Sequence, residues 1–129
     1  MGRIDETTAE RLAHHWDAGW NGEDVALIMA PFAAGVVFTS PFVSLVTGDP
    51  AKTTIEGHDA LRRYVESALR RTPGIRYTIQ GHYAGADSVA LVYTCFLPNG
   101  SAKHGVDTMH VDDQGQIVEW RCHYSDDSF

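Results

Sequence analysis

Val106-Asp107-Thr108-Met109-His110-Val111, then Asp112-Asp113-Gln114-Gly115, then Gln116-Ile117-Val118-Glu119-Trp120-Arg121-Cys122-His123-Tyr124 reads as a β-hairpin. Successive side chains of a strand point to opposite faces, so Asp107, Met109 and Val111 share one face of the first strand. By the same rule Val118, Trp120, Cys122 and Tyr124 share one face of the second. Both faces are apolar except at Asp107. A carboxyl there is costly to bury unless it is hydrogen-bonded or keeps its proton. Two roles stay open for it: an acid set in a ligand pocket, or a structural carboxyl bonded to a helix end or a neighbouring side chain.

Working outward from the hairpin, the second half of the chain predicts four strands: Ile75 to Tyr83, Val89 to Leu97, Lys103 to Val111 and Ile117 to Tyr124. Turns at Gly85-Ala86-Asp87, Pro98-Asn99-Gly100 and Asp113-Gln114-Gly115 join them as a meander. The first half is mainly helical. Leu61, Tyr64, Val65, Ala68 and Leu69 keep helical spacing over His58 to Arg71, and Pro73-Gly74 closes that element. Thr7 with Glu10 forms a capping box ahead of a helix over 7–20, whose stripe carries Leu12, Trp16, Gly19 and Trp20. Glu23 and Asp24 suit the first turn of a short second helix, stopped by Pro31. A strand over Gly35 to Ser40 follows. Pro41 to Lys52 then reads as an irregular loop or a short hairpin returning through Thr53, Thr54 and Ile55. Helices first and a meander afterwards predict an α+β fold in a single domain over 1–129.

A formal charge of −7 argues against a phosphate-binding surface, so no nucleic-acid partner is expected. Arg62, Arg63, Arg70 and Arg71 read as a solvated helix face and a last turn that complements the helix dipole. Val25 through Gly48 carries no charged residue and is long enough to span a bilayer. Pro31, Gly35 and Pro41 interrupt it, however, so helix followed by strand is the better reading and no membrane partner is expected. Cys95 and Cys122 form no disulfide framework, and the N-terminus shows no apolar targeting segment. A reducing cytoplasm is the expected compartment. Gly2 lacks the Ser or Thr a myristoylation motif needs, because Glu6 stands there.

Over essentially its whole length the chain resembles the nuclear transport factor 2-like superfamily, and within it the SnoaL-like and ketosteroid-isomerase-like members. Three stretches carry the likeness: Gly19-Trp20-Asn21-Gly22-Glu23-Asp24; Val36-Val37-Phe38-Thr39-Ser40-Pro41 leading to Ile55-Glu56-Gly57-His58-Asp59-Ala60-Leu61; and the hairpin around Asp107 and Trp120-Arg121. The resemblance implies a curved antiparallel sheet of about six strands folded over three helices into a cone. It further implies an apolar pocket inside, a small apolar ligand and a homodimer through the outer face of the sheet. Function is not implied with the same specificity, because the superfamily hosts isomerases, hydrolases, cyclases and adaptors on one scaffold.

Carried over residue by residue, Asp107 falls where ketosteroid isomerases keep a protonated acid in the oxyanion hole. Ser40 stands at the position of their general base and Trp16 at that of their oxyanion-hole tyrosine. A serine alone does not abstract a carbon-bound proton at neutral pH, and an indole donates a hydrogen bond without acting as an acid. The likeness to limonene epoxide hydrolases at Trp120-Arg121 breaks at Cys122, where their acid would stand. SnoaL-like cyclases use an acid on the penultimate strand, which Asp107 matches. The expected ligand pocket is therefore Trp16, Ser40, Met109, Trp120, Cys122 and Tyr124 around Asp107, with ordinary core packing as the alternative for the aromatic residues. No cofactor and no metal are expected, since no His or Cys pair has ligand spacing. His104 and His123 fall on the opposite faces of their strands from Asp107 and Trp120.

Overall fold

A computed structural model describes residues 6–125. The elements run α1 (Glu6–Asn21), α2 (Val25–Met29), β1 (Phe32–Thr39), α3 (Val43–Thr47), β2 (Thr54–Glu56) and α4 (His58–Arg71), then β3 (Arg76–Ala84), β4 (Ser88–Phe96), β5 (Ala102–Val111) and β6 (Ile117–Tyr124). The strands form one open sheet in the order β2-β1-β6-β5-β4-β3. Four of its five pairings are antiparallel; β1 and β6 run parallel, which corrects the wholly antiparallel expectation. The reason is topological. β1 is separated from β6 in sequence by two helices and four strands, so nothing constrains the pair to hairpin direction.

Helices close over one face of this sheet, α1 against β3 and α4 against β1 and β2. On α1 the buried positions Ala9, Leu12, Ala13, Trp16, Gly19 and Trp20 recur every three or four residues and make one stripe. Gly19 lets α2 cross that stripe closely: a Cβ there would lie 2.9 Å from Cγ1 of Ile28 and 3.1 Å from its backbone nitrogen. Asn21, the last residue of α1, stitches the helix to β3. Its side chain donates to the carbonyl of Tyr77 and accepts from the Tyr77 N–H at 2.8 Å, as a neighbouring strand would.

Several local expectations change in the folded chain. α1 already includes Glu6, which puts Thr7 inside the helix rather than at its cap. Asp24 is the N-cap of α2, accepting from the Leu27 N–H, and Glu23 precedes the helix with φ of 52°. β1 starts earlier, at Phe32. The Pro41 to Lys52 stretch contains the extra helix α3, so four helical segments stand where three were expected. A register shift between His110 and Val111 pairs Val111 with Ile117, and Ile117 rather than Val118 takes the buried position. The charge-free stretch resolves into α2, β1 and α3, and no helix among the described residues is long and apolar enough to cross a membrane. Gly2 and the N-terminal segment lie outside the described residues.

Candidate functional site

The cone encloses a cavity of about 560 Å³, large enough for a small organic ligand. Its floor is built around Asp107, which is 1% exposed. Oδ2 of Asp107 accepts from the indole N–H of Trp16 at 3.1 Å and from that of Trp120 at 2.9 Å. Oδ1 lies 2.8 Å from the hydroxyl of Tyr93. The Cys122 thiol, on the cross-strand partner of Asp107, is a further and weaker donor.

Three different elements thus converge on one carboxyl. Trp16 comes from α1, Tyr93 from β4, and Trp120 and Cys122 from β6. Tyr93 reaches Asp107 diagonally across the sheet because its direct partner on β5 is Gly105. A Cβ on Gly105 would lie 2.6 Å from Cζ of Tyr93, so only glycine lets the ring lie flat over that strand.

The two carboxylate oxygens are not equivalent. Indole N–H groups donate and never accept, so Oδ2 must remain an acceptor. A phenol can do either. When Asp107 holds a proton it sits on Oδ1 and is donated to Tyr93, whose own hydrogen then turns elsewhere; when Asp107 is ionised, Tyr93 donates to it. Burial pushes the Asp107 carboxyl above its ordinary range, and the hydrogen bonds from Trp120, Tyr93, Cys122 and Trp16 pull in the opposite direction without cancelling the rise. Burial, reinforced by the charge on Asp107, likewise raises the Tyr93 phenol, which stays protonated. A hydrogen bond links Tyr93 onward to Tyr124, so three oxygens form a chain along the cavity wall.

Of the residues predicted from sequence, Asp107, Trp16, Trp120, Cys122 and Tyr124 all line the cavity. Met109 does not: at 1% exposure it is packed in the core. Ser40 does not line it either. Its Oγ accepts from the Phe42 N–H at 3.2 Å and hydrogen-bonds the Tyr64 hydroxyl, so it fixes a wall residue. Trp16 stands beside the acid as expected, but its single N–H is spent on Asp107 and is not free for a ligand oxygen. Cys95 and Cys122 are free and buried, and burial raises both thiols, so neither is a thiolate nucleophile. His104 bonds Thr94 and is exposed, as is His123.

Sequence reading missed Tyr93, Tyr64 and Tyr77 on the walls and Arg71 at the mouth. A signal for Tyr93 was present. It shares the inward alternation of Val89, Leu91 and Cys95, and an inward glycine at 105 marks a place where something large lies across the strand.

A curved sheet closed by helices around a cavity that Asp107 lines defines a cone-shaped α+β fold. The model of the SnoaL-like domain matches residues 13–120, and the chain belongs to that family, within the nuclear transport factor 2-like fold. A SnoaL-like protein of unknown function from Burkholderia thailandensis has 25% identity and a TM-score of 0.85, covering 96% of this chain and 99% of its own. An NTF2-like protein of unknown function from Mesorhizobium loti has 20% identity and a TM-score of 0.74, covering 95% and 97%. A protein from Kribbella flavida described as a candidate ketosteroid isomerase has 19% identity and a TM-score of 0.72, covering 95% and 81%. Among functionally curated proteins none matches the chain.

Proposed function

We propose that this protein binds a small apolar cyclic ketone or polyketide-like molecule and performs cofactor-independent isomerase- or cyclase-type chemistry, with Asp107 as acid and base. The observation that carries the reading is the pairing of Asp107 with Tyr93 at the cavity floor, one carboxyl oxygen locked by two indoles and the other facing a group that can pass a proton. A ligand carbonyl against Tyr93 receives a hydrogen bond, and in the limit a proton, from the phenol. Oδ1–H of Asp107 refills it, leaving the carboxylate where its negative charge is held by the donors around it. The same carboxylate takes the proton back through Tyr93 when the product forms.

This chemistry fixes the sign of the pH response. A ketone needs the donor state, so its binding weakens as pH rises through the raised pKa of Asp107. Asp107→Asn imitates the protonated acid, its amide donating to Tyr93, and removes that dependence. Tryptophan fluorescence quenching by a panel of fused-ring ketones and phenols, followed across pH, checks this. Saturable binding that loses its pH dependence in Asp107→Asn is expected, with turnover of the best ligand falling at least about a hundredfold in that variant. Unchanged binding and turnover in Asp107→Asn would sink the proposal.

A non-catalytic carrier of an apolar ligand is the second reading. It draws on the turned-away Ser40 and on Asp107 being the only carboxyl group that lines the cavity among the described residues. A carrier would show saturable binding with no turnover of any panel member.

A further inference from the structure

The mouth of the cavity is chemically one-sided. Its exposed or half-exposed lining includes Leu45, Leu97 and Pro98, which are apolar, with Arg71 and Asn99 between them. Arg71 is the only charged residue besides Asp107 that lines the cavity among the described residues, although the chain carries 17 acidic residues against 10 basic ones. Two other arginines of α4 are engaged: Arg62 pairs with Glu66 at 3.9 Å and Arg70 donates to Ser67. Arg71 has no such partner among the described residues, and its side chain is exposed where it lines the cavity.

Asn99 adds to the same polarity. Its Oδ1 accepts from both the backbone N–H and the hydroxyl of Ser101, at 2.9 and 2.7 Å, which leaves its NH2 as the group to offer a ligand. The Thr72 hydroxyl, also at the rim, donates to the Ala68 carbonyl. Among the described residues the rim therefore presents donors and a positive charge, without a carboxylate, on a protein whose overall charge would repel anions.

Building on the pocket reading above, we infer that the ligand is an amphipathic acid whose ring enters the cone while a carboxylate or comparable anionic group stays at the mouth on Arg71 and Asn99. The two ends are read by different chemistry: neutral hydrogen bonding at the floor and a charge-assisted pair at the rim. An exposed ion pair is partly screened, so its contribution to affinity is about threefold to tenfold and shrinks with added salt.

The test compares 2-naphthol with 6-hydroxy-2-naphthoate by isothermal titration calorimetry at neutral pH, in wild type, Arg71→Gln and Asn99→Asp. The carboxylate-bearing ligand should bind wild type about threefold to tenfold more tightly than 2-naphthol, and less so at high salt. Arg71→Gln should equalise the two without weakening 2-naphthol, and Asn99→Asp should reverse the preference. Equal affinities in wild type, or an advantage that survives Arg71→Gln, would overturn the inference while leaving the pocket reading intact. Failure of both ligands to bind wild type would remove the pocket reading and this inference with it.

Discussion

Asp107 separates two kinds of loss according to what replaces it. Alanine leaves two indole N–H groups and a phenol without their acceptor at a buried position. Each buried donor left unmade costs about 1–3 kcal/mol, so Asp107→Ala should lower stability by about 3–5 kcal/mol. Asparagine keeps an acceptor for both indoles and gives Tyr93 a donor, so its cost should be about 1 kcal/mol or less. Urea denaturation distinguishes the two, and equal losses would mean that the indole and phenol hydrogen bonds do not matter. The pH dependence follows from the raised pKa. The native state holds the Asp107 proton over a range where the unfolded chain has lost it, so wild-type stability falls as pH climbs from the ordinary aspartate range to the raised value. Asp107→Asn has no such proton to hold. Its stability relative to wild type should therefore rise across that window and level off above it.

Strands carry the geometry of the site, and the register of β4 against β5 decides what Tyr93 can touch. Gly105→Ala places a methyl 2.6 to 2.8 Å from two ring carbons and the hydroxyl oxygen of Tyr93, so the ring must lift and its hydroxyl leaves Asp107. A destabilisation of about 1–3 kcal/mol is expected, with Tyr93→Leu in the same chain relieving most of it. Additive losses in that double-mutant cycle would show that the close approach is not what couples the two positions. The same scale explains what could be read in advance. Period-two alternation made the inward faces of β5 and β6 legible, and with them Asp107, Trp120, Cys122 and Tyr124. Met109 shares that alternation yet misses the cavity, because alternation fixes a face and not whether helix or empty space covers it. Tyr93 shares the inward alternation of β4, but its diagonal approach to Asp107 follows from a register that only the assembled sheet sets. The shift at Val111 moved Ile117 into the place expected of Val118 for a similar reason: an extra residue in one strand has no local signature. Resemblance put Ser40 at a general-base position in the pocket, but its orientation depends on the turn into α3, a helix that Gly48-Asp49-Pro50 obscured.

At the scale of the whole molecule, two element contacts do most to join the chain's halves. α1 packs on β3, and β1 runs alongside β6 as the one parallel pair, joining the helical half to the meander. The site itself spans the division, since Trp16 comes from the first half and Tyr93 and Trp120 from the second. Between the halves lies the exposed Pro73-Gly74 turn, with Gly74 at φ of 82°, the kind of surface position where a chain tolerates interruption. The parallel seam thus makes the protein a two-piece object that happens to be continuous. Residues 1–73 and 74–129, produced as separate polypeptides, should reassemble on mixing and recover the buried-tryptophan fluorescence of the intact chain. With Asp107→Ala in the larger-numbered piece, that recovery should demand a higher concentration of its partner.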